Sequence, residues 1–171
     1  MVYFFIPTVL YFFIDIHKTP STGATMTALI VPLTMFCLAQ AAFHYRVDPV
    51  VLEAIRVVEN GETGKIRRNT NGTSDLGPFQ VNSSWIGPLR KKGVRVSFAR
   101  LRDNGCLNAY VAAYILSEEV RRAPGESLRT AIGRYHSRRP KEARKYRARV
   151  LREIARLERR GNPFLKEEKH P

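Results

Sequence analysis

Asp48-Pro49-Val50-Val51-Leu52-Glu53-Ala54-Ile55-Arg56-Val57-Val58-Glu59-Asn60-Gly61 carries the complete punctuation of one helix. Asp48 is an N-cap residue, Pro49 fits the first helical position, and Gly61 supplies the stop. Leu52, Ile55 and Glu59 recur at i, i+3 and i+7, so an acid shares the face that should enter the core. A carboxyl there is poorly solvated and sits near the negative end of the helix dipole. Both effects favour its protonated form and raise its pKa, which is what a general acid needs near neutral pH. On helix geometry alone a solvated helix end is the commoner explanation of such a glutamate.

Outward from this helix the chain is helical with loops. Cys37 to Tyr45 reads as a short helix with Leu38, Ala41, Ala42 and Tyr45 on one face. Residues 61–88 are rich in Gly, Asn, Thr and Ser, with little periodicity. A loop of that length in a compact domain is usually functional. Helical spacing resumes from Asn108 to Arg122, with Val111, Tyr114, Ile115 and Glu118 in register, and Pro124-Gly125 ends it. Ser127 caps a following helix with Leu128, Ala131, Ile132 and Tyr135 on one face. Pro140 closes it, and Lys141 to Arg160 forms a basic amphipathic helix with the stripe Tyr146, Val150, Ile154 and Leu157. No repeat or strand hairpin signal stands out, so the fold class is mainly α.

The 171 residues include 29 Lys and Arg against 15 Asp and Glu, a net charge of +14. One ordinary domain with flanks fits that length, and the charge implies a polyanionic partner: nucleic acid, anionic lipid or wall polymer. Eleven of the basic residues fall between Arg138 and Arg160, where a solvated helix face also accounts for them.

The first residues differ from the rest. Met1 to Ile14 is uncharged and aromatic, and a second uncharged stretch runs from Thr19 to Phe43, interrupted by Pro20, Gly23 and Pro32. Fourteen residues are too few to span a bilayer, and the second stretch reads as an export signal rather than an anchor. Residues 1–35 are therefore assigned to a hydrophobic leader, with Met26 as an alternative start, and residues 158–171 to a polar tail. In an exported protein Cys37 and Cys106 are a disulfide candidate. Ala39-Gln40-Ala41 also resembles a small-x-small cleavage site, and cutting there would remove Cys37.

Three separated segments belong together: Glu59-Asn60-Gly61; Asn69-Thr70-Asn71-Gly72-Thr73-Ser74-Asp75-Leu76-Gly77-Pro78-Phe79-Gln80-Val81-Asn82; and Gly133-Arg134-Tyr135-His136-Ser137. As a set they resemble the soluble lytic transglycosylases, a lysozyme-like family, and more narrowly its small members that accompany type IV secretion and conjugation machines. The resemblance runs from about Cys37 to Leu157. It implies a lysozyme-like α-helical domain over residues 36–157 with a long active-site loop, exported to the periplasm or cell envelope. It also implies cleavage of the β-1,4 bond between N-acetylmuramic acid and N-acetylglucosamine in peptidoglycan glycan strands, without water, leaving a 1,6-anhydro sugar.

In that resemblance Glu59 matches the catalytic acid. It protonates the glycosidic oxygen and then takes the proton of the muramoyl 6-hydroxyl that attacks the anomeric carbon. Most glycosidases use two carboxylates; here the substrate's acetamido group takes the part of the second. Gln80 matches a substrate-binding amide, and Tyr135 matches a tyrosine that hydrogen-bonds the catalytic Glu. Ser74 and Asn82 are candidate groove residues. No cofactor or metal is implied. Glu62 and Asp75 are the other acids near the motif, with a minor claim on the chemistry. Two departures stand out: Asn60 where the family has Ser, and Pro78-Phe79 where it has two aliphatic residues. Cysteines in the positions of Cys37 and Cys106 are common in this branch, which favours retention of Cys37 and its pairing with Cys106.

Two other classes compete. A nucleic-acid-binding module would use the helix from Lys141 to Arg160, but it leaves Glu59 unexplained and an exported protein seldom meets DNA. A non-catalytic wall-binding scaffold would recruit secretion components without needing an acid at Glu59. Contact with a membrane is expected only through the leader.

Overall fold

A computed structural model describes residues 29–122, 127–161 and 164. Most of the leader, the Pro124-Gly125 helix stop and most of the polar tail lie outside these residues. Seven helices are present among the described residues: α1 Met35–Tyr45, α2 Pro49–Glu59, α3 Ile86–Lys91, α4 Phe98–Asp103, α5 Gly105–Arg121, α6 Leu128–His136 and α7 Pro140–Arg159. The fold is mainly α, in keeping with a lysozyme-like helical domain. No helix among the described residues is long and apolar enough to cross a membrane.

The helix α2 has the bounds its punctuation dictates. The Asp48 carboxylate accepts from Val50 N at 2.7 Å, and Asn60 closes the helix in the left-handed conformation at φ 50°. Asparagine is one of the few side chains that tolerate that conformation. The asparagine at this position therefore has a backbone reason. α1 starts at Met35 rather than Cys37 because the Thr34 hydroxyl accepts from Cys37 N at 3.1 Å. Ser127 occupies the N-cap position of α6 without a side-chain cap bond.

Five helices close a ring in which α1 packs on α2, α2 on α7, α7 on α6, α6 on α5 and α5 back on α1. Leu38, Leu52, Ile55, Leu116, Ile132, Tyr146 and Val150 fill it, all essentially inaccessible to solvent. The apolar faces read from the 3.6-residue period point inward except at Leu128, which sits at the first turn of α6 and is 40% exposed.

Residues 61–88, expected to be a loop without strands, hold a three-stranded antiparallel sheet of β1 Ile66–Arg68, β2 Ser74–Leu76 and β3 Val81–Asn82. Ile66 pairs with Leu76 and Leu76 with Val81. These strands are two or three residues long, and β1 is fully exposed, so no alternation of period two can develop. α3 and α4 also went unforeseen, since six residues hold under two turns of periodic signal.

Cys37 and Cys106 are disulfide-bonded, with Cα atoms 5.2 Å apart. The chain entering α1 runs beside the start of α5: Val31 N donates to Asp103 O, and Gly105 N to Val31 O, each at 2.8 Å. The Ala39-Gln40-Ala41 site lies inside α1, where Leu38, Ala41 and Ala42 are completely buried. Cleavage there would remove core side chains together with Cys37.

Candidate active site

Glu59 ends α2 at the floor of a cleft of about 310 Å³, which is also lined by Arg67, Asp75, Gln80, Asn82, Trp85, Tyr135 and His136 among others. Residues of the sheet line it together with Ile115 from the middle of α5 and Tyr135 and His136 from the end of α6. What lets the loop close over Glu59 is Gly61: a Cβ there would stand 2.2 Å from the Gly77 carbonyl oxygen and 2.8 Å from that of Pro78. Only a residue without a side chain admits the Gly77-Pro78 turn so near the end of α2.

Asn108 fixes that turn from behind. Wholly buried on α5, it accepts from Phe79 N at 2.9 Å and donates to Leu76 O at 2.8 Å and Leu101 O at 2.9 Å. Every polar group of its amide is satisfied, which makes the contact stiff as well as favourable. Gln80 follows in the left-handed conformation at φ 48°, and its Nε2 donates to Gly77 O at 2.9 Å. Gln80 thus stabilises the turn while lining the cleft.

The electrostatics centre on Glu59. Half-buried, its carboxyl is pushed up to about 7, first by desolvation; the Tyr146 hydroxyl and the guanidinium of Arg67 oppose this, Asp75 adds to it, and Arg149 opposes it. The second acid of the cleft, Asp75, is 8% exposed and already engaged. Its Oδ2 accepts from Arg67 Nη2 at 3.0 Å and its Oδ1 from Asn82 Nδ2 at 2.8 Å. The Asn82 Oδ1 in turn accepts from Ser84 N at 3.0 Å. Asn82 lines the cleft mainly as the holder of Asp75. Ser74 is not among the residues that line it; its N–H donates to the Ser83 hydroxyl at 3.0 Å.

The tyrosine expected to hydrogen-bond Glu59 is placed differently. Tyr135 borders the cleft, but its hydroxyl donates to Phe79 O at 3.1 Å, tying α6 to the loop. It is Tyr146, on α7, whose hydroxyl faces Glu59. As a donor it lowers the Glu59 pKa, although it falls short of full hydrogen-bond geometry and has no other hydrogen-bond partner among the described residues. A Cβ on Gly133 would meet Ala143 O at 2.9 Å, so this glycine lets α7 approach α6 closely enough for the Tyr135 and Tyr146 rings to stack with centroids 6.4 Å apart. His136 stacks on the same Tyr146 ring at 4.6 Å and 2°. Burial lowers the His136 pKa, and Arg149 and Arg67 add to that effect.

No family model matches the chain. It is 30% identical over 107 residues to a peptidoglycan-binding-like protein of Escherichia coli O157:H7, covering 57% of this chain and 64% of that protein. Over 86 residues it is 33% identical to invasion protein IagB of Salmonella typhimurium strain SL1344, covering 50% of this chain and 52% of that protein. The figures are the same for the protein of that name in Salmonella typhi. The chain thus spans between about half and just under two thirds of the length of these curated relatives.

Sequence reasoning brought Glu59, Gln80, Asn82 and Tyr135 to one cleft but passed over four residues that shape it. Arg67 looked like one basic residue among many, and Asn108 like an ordinary helix start. Tyr146 was read as part of an apolar stripe and His136 as a neighbour of Tyr135. For Tyr146 a signal existed, since a tyrosine in a buried stripe needs a partner for its hydroxyl. Among the described residues no group of His, Cys, Asp and Glu could hold a metal ion.

Proposed function

We propose that this chain is a peptidoglycan lytic transglycosylase, cutting the MurNAc-β-1,4-GlcNAc bond and leaving a 1,6-anhydromuramoyl end. The observation that carries this reading is the acid Glu59, with its pKa pushed up to about 7, in a polar cleft whose other carboxylate, Asp75, is engaged by Arg67 and Asn82. Glycosidases that work with two protein carboxylates need the second free to attack the sugar or to activate water. Asp75 is free for neither. A mechanism in which the substrate supplies its own nucleophile fits a cleft with one available acid.

In that mechanism Glu59 starts protonated and passes its proton to the glycosidic oxygen as the C1–O4 bond breaks. The acetamido group of the muramoyl sugar steadies the cationic centre. Glu59, now a carboxylate, accepts the proton of the 6-hydroxyl as O6 bonds to C1, which restores the acid without consuming water. A pKa near 7 suits a group that must both give and take a proton. Gln80 offers amide contacts to the sugar, Trp85 offers an aromatic face at the cleft wall, and Tyr146 steadies the ionised form of Glu59.

The similarity to proteins named peptidoglycan-binding-like and invasion protein supports an envelope location and work on the wall; service to a secretion, conjugation or pilus-type machine is the finer part of the proposal. A disulfide agrees with export. The competing reading, a wall-binding scaffold, rests on the first of those names and leaves the perturbed acid without a task. Purified protein should release soluble muropeptides from peptidoglycan sacculi, and Glu59→Gln should lower the rate about 100-fold or more. Equal release by Glu59→Gln, or none by the wild type, would overturn the enzyme reading.

A further inference from the structure

A second cleft, of about 280 Å³, opens on the far side of Tyr146 and is lined by His136, Glu142, Lys145, Tyr146 and Arg149. It shares His136 with the first cleft, and Tyr146, whose hydroxyl faces Glu59, lines the second. One end of Tyr146 faces Glu59; His136 stacks on its ring, and the Arg149 guanidinium lies 5.5 Å from the ring centroid.

The lining is cationic and incompletely neutralised. Glu142 is its only acid, and that carboxylate reaches only Lys145, at 3.9 Å with both side chains well exposed, a contact of little strength. Among the described residues no carboxylate lies within ion-pair distance of Arg149, whereas Arg156 on the same helix is paired with Glu153. Stacking on Tyr146 holds the Arg149 guanidinium in place with its planar donor edge unused, an arrangement suited to a carboxylate.

We propose that this second cleft is a subsite for a carboxylate of the peptide stem carried by the muramoyl sugar. The inference rests on the reading of the first cleft as the glycan site. Each muramoyl unit bears, on the lactyl group at its C3, a short peptide with free carboxylates, so the branch leaves the same ring whose anomeric bond is cut, two ring carbons from it. A stem from a sugar beside Glu59 has to leave the first cleft, and the shared His136 wall leads to this neighbouring depression with its cationic donors. The subsite makes the protein a reader of peptide-substituted strands rather than of bare glycan. Arg149 and Lys145 bind the carboxylate, and His136 and Tyr146 form the wall the stem passes.

Binding measured on the Glu59→Gln full chain tests this without turnover. The probes are glycan strands with stems intact, strands stripped of stems by an amidase, and strands whose stem carboxylates are converted to amides. The intact strands should bind about tenfold tighter than the other two. Lys145→Gln with Arg149→Gln should reduce that preference to under twofold. Lys145→Gln alone, at an exposed position that cannot unfold the protein, should reduce it in part. Lys91→Gln removes the same charge from α3 and should leave the preference intact. Equal affinity for all three strands, a preference that survives the double substitution, or an equal loss with Lys91→Gln would overturn the stem subsite while leaving the glycan site standing. Failure of every strand to bind would overturn the reading of the first cleft and the subsite with it.

Discussion

The Tyr146 hydroxyl faces the Glu59 carboxyl across the packed seam of α7 and α2, and has no other hydrogen-bond partner among the described residues. A donor aimed at an acid favours its ionised form, so it works against the desolvation that holds Glu59 near 7. Tyr146→Phe should therefore raise the Glu59 pKa and move the high-pH limb of the rate profile upward. The rate constant should drop about tenfold, in line with loss of one donor to a charged group. Because the hydroxyl has no fully formed bond to lose, stability should change by under about 1 kcal/mol. A pH–rate profile and a urea titration check the two halves separately.

Glu59 itself makes folding pH-dependent in a direction opposite to most acids. Its folded pKa of about 7 lies above the unfolded value near 4.5. The unfolded chain therefore releases this proton first, and the penalty grows as pH rises from 4.5 to 7 and is complete above 7. Glu59→Gln should accordingly be more stable than wild type by about 1–3 kcal/mol at pH 8, with the difference vanishing near pH 4. Denaturant midpoints at the two pH values decide it. Equal stability at pH 8 would mean that Glu59 is ordinarily solvated.

Asn108 holds the cleft loop from the core, so Asn108→Ala should cost about 3–5 kcal/mol by leaving Phe79 N, Leu76 O and Leu101 O without partners. Activity should fall as well, because Phe79 O is also the acceptor of the Tyr135 hydroxyl. Thermal unfolding and sacculus digestion on the same preparation test both.

The disulfide joins residues 69 apart in sequence. Replacing Cys37 and Cys106 by Ala should lower stability by roughly 4 kcal/mol in the chain-entropy account. Neither cysteine lines the cleft, so the rate at low temperature should stay within about twofold while the unfolding midpoint falls.

How much of this was written in the sequence depends on the length scale of each signal. The bounds of α2 follow from Asp48, Pro49 and Asn60-Gly61, which act within a few residues. The inward faces of α1, α5 and α7 follow from repeated spacing over several turns. The sheet was illegible because two- and three-residue strands have no period, and its polar residues look like a loop. Asn108 was illegible because its worth lies in partners 29 and 32 residues away. The exchange of Tyr135 for Tyr146 as the hydroxyl facing Glu59 depends on how closely α7 approaches α6 at Gly133, a tertiary fact that no local pattern carries.

The central claim is that one acid and the substrate's own hydroxyl cut the glycan without water. Digestion of peptidoglycan in water enriched in oxygen-18, followed by mass spectrometry of the released muropeptides, tests it most directly. The account predicts 1,6-anhydromuramoyl products about 18 Da lighter than the reducing sugars and free of the heavy isotope, as intramolecular attack requires. Reducing-end products carrying oxygen-18 at the anomeric carbon would contradict it and make the protein a hydrolase.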